Sequence, residues 1–277
     1  MIAKKFQIGL IQLDTGSDSE EIHRKIRQYV KEAKERGAAL VILPEHSDRI
    51  GRREREDAAP VPGPVSDWYS ALAREFAVYL HCGSITEAID GQENPANTSL
   101  LFSRTGELLE SYRKLHLFDV TLPDGREVKE SAGVTAGNRL ALAETELCTI
   151  GMTICYDLRF PELYRLLALK GADLLVVSAN FTAATGEGHW EPLLRARAIE
   201  NSCYVAAVNQ CGEKPLFRAW GHTMLIDPWG RILGELDGET PGLLMGTIDP
   251  EVLIRTREKL PFRENRREDM YSLNETR

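Results

Sequence analysis

Short apolar strands alternating with amphipathic helices along all 277 residues predict an α/β fold. Three observations carry that expectation. Apolar runs such as Ala38 to Leu43 and Leu174 to Val177 are strand-length and have no polar face. Apolar residues recur at helical spacing between such runs. Two segments, RGAALVILPE and KGADLLVVSA, echo one another as helix end, Gly-Ala and strand. Strands without a polar face are buried on both sides, so helices must cover the sheets. The echo makes the halves similar parts of one domain, expected over residues 1–260, with a polar extended tail at 261–277.

Phe6 to Leu13 reads as the first strand. Ile22, Ile26, Tyr29, Val30 and Ala33 then follow a helical period that Gly37 stops. AALVIL is the next strand and ends at Pro44-Glu45. A helix begins near Pro64, with Trp68, Leu72 and Phe76 on one side. Residues 97–113 form a hairpin turning at Arg104-Thr105-Gly106. The stretch 115–138, rich in Gly, Pro and charge, is a loop longer than compact domains usually carry, and such loops are functional or disordered. TELCTIGMTI is a strand leading into Cys155, and the helix after it has Pro161 near its start and Gly171 past its end. DLLVVSA, the helix HWEPLLRARAIE and the strand CYVAAVNQ follow. GHTMLIDPWGRILGELD is a further hairpin, turning at Pro228-Trp229-Gly230. His189-Trp190-Glu191 reads as a helix start with an anionic first turn.

Composition narrows the chemistry. With 42 acidic and 34 basic side chains the net charge is −8, which repels a phosphate backbone and argues against nucleic acid as a partner. No apolar run approaches the ~20 residues that span a bilayer, and the first residues lack a signal-peptide core, so neither membrane insertion nor export is expected. Five cysteines without a CxxC spacing argue for reduced thiols and a cytoplasmic setting. There is no phosphate-binding GxxxxGK[ST], no GxGxxG, no HExxH and no GxSxG. The six histidines form no pair at metal-ligand spacing.

Three reactive side chains lie just past strands: Glu45 after AALVILP, Lys114 after ELLESYR and Cys155 after TIGMTI. Strand ends in α/β folds hold catalytic groups rigidly beside an open crevice. Singly, each has an ordinary explanation, a solvated charge or a core thiol. Together they form a nucleophile, a base to take its proton, and a fixed cation favouring thiolate and later an oxyanion. Two other assignments compete: a Cys-His-Asp peptidase or transferase, whose local signature is missing, and a catalytically inactive binding module.

PEH at 44–46, YRKLHLFD at 112–119 and GMTICYDLRFPEL at 151–163 resemble the three signature blocks of the nitrilase superfamily of carbon–nitrogen hydrolases. TGEGHWEPLLRARAIENSCYV at 185–205 and GHTMLIDPWG at 221–230 look most like its amidase branch of omega-amidases and deaminated-glutathione amidases. The resemblance implies a four-layer αββα sandwich, a Glu45–Lys114–Cys155 triad, a second glutamate at Glu130, and no cofactor or metal. It also implies a homodimer or higher symmetric oligomer, with the tail packing at its interface. The backbone N–H of Tyr156 would join Lys114 in binding the oxyanion, while Arg159, Phe181 and Thr185 would bind substrate. Phe181 alternatively reads as a core aromatic and Thr185 as a helix cap. The implied substrate is a small-molecule amide bearing a carboxylate, foremost 2-oxoglutaramate or 2-oxosuccinamate, with deaminated glutathione or another amidase or N-carbamoyl substrate as the alternative. Ala136-Gly137 and Asn180-Phe181 depart from the branch's usual residues.

Overall fold

A computed structural model describes residues 4–50, 54–121 and 125–275. The first three residues, 122–124 in the expected loop and the last two of the expected tail lie outside it.

The chain opens with β1 (Phe6–Gln12), α1 (Ser19–Glu35) and β2 (Ala38–Ile42). The Asp18 side chain caps α1 by accepting from the backbone N–H groups of Glu20 and Glu21. A short α2 (Glu54–Asp57) precedes α3 (Pro64–Phe76), which starts at the proline that marked it in the sequence. Then come β3 (Tyr79–His81), β4 (Ile85–Glu87), β5 (Ala96–Phe102) and β6 (Leu108–Arg113). The expected loop at 115–138 carries a small hairpin of its own, β7 (Asp119–Thr121) and β8 (Glu127–Lys129), followed by a 3₁₀ turn at Glu130–Ala132.

The second half runs β9 (Leu142–Glu144), β10 (Thr149–Ile154), a 3₁₀ turn at Cys155–Arg159, α4 (Pro161–Leu169) and β11 (Leu174–Ala179). It continues with α5 (Ala183–Asn201), β12 (Tyr204–Asn209), β13 (Met224–Ile226), β14 (Ile232–Glu235), β15 (Gly242–Ile248) and α6 (Pro250–Lys259). Helix α5 begins six residues before His189, so His189-Trp190-Glu191 is helix interior and not a start. Its N-cap is Thr182; Thr185 sits inside the first turn, its Oγ1 3.2 Å from that of Thr182.

One sheet is ordered β15-β1-β2-β3-β5, with β4 following β3 along one edge of β5 and β6 on the other edge. The second is β14-β13-β12-β11-β10-β9. At the centre of each, parallel strands are joined through helices: β1, β2 and β3 in one, β10, β11 and β12 in the other. Side-chain alternation separates the layers. Ile8, Leu10, Leu40 and Ile42 face the second sheet and join its core, whereas Ile11, Val41 and Leu43 pack under Ile22, Ile26, Val30 and Leu72 of α1 and α3. Helices α4 and α5 cover the far side of the second sheet with Leu163, Leu167, Trp190 and Leu194. The result is the expected αββα sandwich, in which the ends of β2, β6 and β10 converge.

Candidate active site

Glu45 stands three residues beyond β2, at 2% exposure. Its position depends on Gly83, whose backbone lies so close that an added Cβ would sit 1.8 Å from the Pro44 carbonyl oxygen. Gly83 also has φ +73°, which a side chain would strain. The Glu45 carboxylate accepts from Asn97 Nδ2 at 2.8 Å and Lys114 Nζ at 3.0 Å through one oxygen, and from the Asn180 backbone N–H at 2.7 Å through the other. Burial pushes its pKa up, but the Lys114 charge and these hydrogen bonds outweigh burial and hold it below the ordinary value. Glu45 is therefore ionised.

Lys114 is the residue after β6 and is 3% exposed. Its N–H donates to the Asn97 carbonyl at 2.9 Å and its carbonyl accepts from Gly137 at 2.8 Å. The close pass needs glycine at 137, because a Cβ there would come within 2.2 Å of the Arg113 carbonyl oxygen. The ammonium donates to Glu130 Oε1 and Oε2 at 3.0 and 2.9 Å as well as to Glu45. Burial works against the charge, yet Glu130 and Glu45 together hold the lysine well above its usual pKa. Glu130 is itself fixed by the Phe118 N–H, which donates to Oε2 at 2.6 Å.

Cys155 opens the 3₁₀ turn after β10 with φ +45°, a conformation that costs a non-glycine residue ~1–3 kcal/mol and tends to occur at functional sites. Its thiol shares a cavity wall with Glu45, Lys114 and Asn180. Burial and then the Glu45 charge keep the thiol well above its ordinary pKa, against the opposing pull of Lys114. The resting thiol is thus neutral. Lys114 favours the thiolate, as expected, but burial and the Glu45 charge outweigh it at rest. What the arrangement can do is move the thiol proton to Glu45 as sulfur attacks, with an ammonium beside the reacting carbon.

These groups open into a cavity of about 460 Å³. Tyr156, Arg159, Phe181 and Thr185 line it, as do Glu130 and Phe118. The Arg159 guanidinium lies 5.3 Å from the Phe181 ring centre and 5.8 Å from that of Tyr156, and Nη1 is 3.1 Å from His189 Nδ1. Among the described residues no cluster of His, Cys, Asp or Glu has the geometry to hold a metal.

A buried Glu–Lys–Cys convergence at the strand ends of such a sandwich fits one family, and the sequence matches the carbon–nitrogen hydrolases over residues 7–258. The chain belongs to that family. It is 38% identical over 275 residues to omega-amidase NIT2 of Xenopus tropicalis, covering 98% of each chain. It is also 38% identical to the deaminated glutathione amidase of Synechocystis, over 95% of this chain and 98% of that one. Among solved structures, the C. elegans NitFhit protein superposes with a TM-score of 0.92 at 33% identity, over 99% of this chain and 68% of the other.

Several residues of this carbon–nitrogen hydrolase were not singled out in the sequence. Asn97 bonds Glu45, as does the backbone of Asn180, which the sequence marked only as a departure from the branch. Asp157, wholly buried, ties two signature blocks together. It accepts from Tyr112 Oη at 2.7 Å and the Ile154 N–H at 2.9 Å through one oxygen; the other takes the His116 N–H at 3.1 Å and faces His116 Nδ1 at 2.7 Å. His116 is stacked on Phe160, with ring centres 3.6 Å apart. It is therefore engaged with Asp157 and not with the thiol, which removes the local basis for a Cys155–His116 pair.

Proposed function

We propose that this hydrolase cleaves the terminal amide of a short carboxylate-bearing substrate through a Cys155 thioester, as an omega-amidase acting on 2-oxoglutaramate or 2-oxosuccinamate. The observation that carries this reading is a guanidinium, Arg159, lining the same cavity as the Cys155 thiol and the ionised Glu45 carboxylate. Arginine's fork matches a carboxylate in two hydrogen bonds. The 38% identity to an omega-amidase supports it, and the equal identity to a deaminated glutathione amidase supports the larger substrate as the alternative.

In the proposed mechanism Glu45 takes the thiol proton as sulfur attacks the amide carbon. The ammonium of Lys114 and the Tyr156 N–H receive the oxyanion, with Glu130 holding Lys114 in place. Collapse breaks the C–N bond, the Glu45 proton passes to nitrogen, and ammonia leaves. Water then gives a proton to Glu45 and attacks the thioester; the C–S bond breaks and the proton returns to sulfur. Phe181 and Thr185 shape the acyl pocket beside Arg159. No step requires a cofactor.

Five free, buried cysteines support a reducing, cytoplasmic location, and no helix of the described residues is long and apolar enough to cross a membrane. Exposed Ile199, Trp229 and Leu233 support association into a homodimer or higher symmetric oligomer. The Arg159 role is tested by Arg159→Lys, which keeps the charge and loses the fork. Disrupting a charge-assisted pair in a desolvated site costs on the order of 2–5 kcal/mol, so kcat/KM on 2-oxoglutaramate should fall at least tenfold, and far less on a neutral amide of equal length. Equal losses on both would make Arg159 structural and remove the carboxylate from the substrate.

A further inference from the structure

Beside the acyl cavity lies a second chamber of about 360 Å³. The two share His46, Asn180, Leu216 and Phe217 in their walls, so they adjoin. His46 Nε2 lies 4.0 Å from Glu45 Oε1. Its backbone, at φ +55°, is pinned by a hydrogen bond from its N–H to Ser84 Oγ at 2.9 Å.

Two residues that line this chamber each carry a buried oxygen without a hydrogen-bond donor. Asn180 Oδ1 is buried without a partner, and so is Asp48 Oδ1, whose residue is 9% exposed. The cations nearest in the chamber wall are committed elsewhere. Arg49 bonds Asp57 and Ser19 Oγ, while Lys214 bonds Asp14 at 2.6 Å and the Thr15 carbonyl at 3.3 Å. A buried carboxylate oxygen with no donor is costly, and a protein keeps one where something supplies the missing donors. Both orphan atoms are acceptors, so the missing partner is a donor. Asn180 also walls the cavity where Glu45 and Cys155 meet, and an amide hydrolysed there releases a group made only of N–H donors.

We infer that the second chamber is the leaving-group pocket: it receives the departing ammonia, which takes up a proton from solvent, and holds the resulting ammonium between Asn180 Oδ1 and the Asp48 carboxylate. The inference rests on the amide-cleaving thioester reading above. The volume exceeds what one ammonium needs, so small primary amines should also enter. Run backwards, the held ammonium first gives its extra proton back to solvent; the neutral nitrogen then attacks the thioester carbon, the C–S bond breaks, and a proton passes from nitrogen through Glu45 to sulfur.

That reverse step supplies the test. With isotopically labelled ammonium present at fixed ionic strength, the thioester partitions between water and ammonia. The ratio of labelled amide to acid does not depend on how much enzyme is active, because both products come from one intermediate. Asp48→Asn, which keeps the shape and removes the charge, should lower this ratio about tenfold. Thr86→Leu narrows another wall of the chamber without touching any charge, and should reduce capture of methylamine more than capture of ammonia. An unchanged ratio in Asp48→Asn means that the chamber holds only solvent, and a raised one means that it supplies the hydrolytic water; either overturns the assignment. Equal capture of methylamine by wild type and Thr86→Leu overturns it as well, whatever the folding of the Asp48 variant. The ratio is measured on whichever amide the enzyme cleaves best. Failure on 2-oxo monoamides with normal ammonium capture on a neutral amide would therefore sink the substrate reading and leave the chamber assignment standing.

Discussion

Asp157→Asn should damage stability and catalysis together, by an amount the hydrogen bonds make calculable. Each Asp157 oxygen faces a backbone N–H as well as a side-chain group: Ile154 N with Tyr112 Oη on one, His116 N with His116 Nδ1 on the other. An asparagine has one acceptor oxygen, so its NH₂ must point at one of those backbone donors. That leaves at least one buried N–H unpaired, at a cost of about 1–3 kcal/mol, and the surviving hydrogen bonds lose the carboxylate charge that strengthened them. A total near 3 kcal/mol corresponds to a Tm about 6–12 °C lower in a protein of this size. Asp157 links the strand that precedes Lys114 to the turn that carries Cys155, so relaxing it displaces the two against each other. A misplacement approaching 1 Å is worth up to ~10²-fold in rate. Tyr112→Phe removes the donor to Asp157 and also takes away the acceptor of the Leu115 N–H, which donates to Tyr112 Oη at 3.3 Å, so it should cost about 1–3 kcal/mol while leaving the Asp157 charge in place. Thermal melts with kcat/KM on the preferred amide check both. If Asp157→Asn melts within about 2 °C of wild type and keeps its kcat/KM, the carboxylate does not hold the site together.

Cys155→Ala should abolish turnover with little change in Tm, since a buried unreacting thiol behaves as a small hydrophobe; retention of more than a few per cent of activity would show a different nucleophile. Glu45→Gln keeps the size but neither takes the thiol proton nor returns it to nitrogen, so kcat should fall at least ~10³–10⁴-fold, and a loss of only tenfold would point to another base. Asp48 has the opposite sign from most carboxylates: burial, against the weaker influence of His46, raises its pKa from 3.8 to about 6. The folded state therefore holds that proton more tightly, and the associated stability is lost as pH rises from below 4 to above 6. At 1.36 kcal/mol per pKa unit the full loss is about 3 kcal/mol. Asp48→Asn should gain on wild type over that window in urea unfolding series, and a difference that stays flat with pH would refute the shift.

The fold was legible because its signals are local. Period-two and near-continuous apolar runs mark β1, β2, β10, β11 and β12, and Pro161 and Gly171 bracket α4. Strands β3 and β4 were not, being only three residues each, too short to display a period. GLLMGTI, which becomes β15, carries two glycines and owes its strand conformation to pairing with β1 across the whole length of the chain. The first turns of helix α5 are hard to see in the sequence because Gly186 and Gly188 are helix breakers by propensity. Packing requires glycine at the first of these: Gly186 lies so near Trp220 that a Cβ would fall 2.2 Å from its ring. Glu45, Lys114 and Cys155 were found because reactive types follow strands. Asp157 was hidden because a carboxylate beside a cysteine looks like any surface charge until Tyr112 and His116 are seen to reach it.

The charges of the site explain why one lysine is flanked by two glutamates. At rest Glu45 and Glu130 are both in contact with Lys114. In the proposed first step the thiol proton moves to Glu45 and a negative charge appears on the substrate oxygen, so total charge is unchanged and has only shifted a few ångströms. Glu45 loses its hold on Lys114 at the moment the oxyanion needs it. The lysine's attraction to the reacting group is thus stronger in the transition state than in the ground state, the condition for raising kcat. Had Glu45 been the lysine's sole counter-ion, protonating it would have left a buried ammonium unpaired except through the substrate. Glu130 remains in contact throughout, fixed by the Phe118 N–H, and keeps Lys114 charged and stationary while its other partner changes. The same logic accounts for a neutral resting thiol: the sulfur proton stays in place until a bound amide offers somewhere for the displaced charge to go.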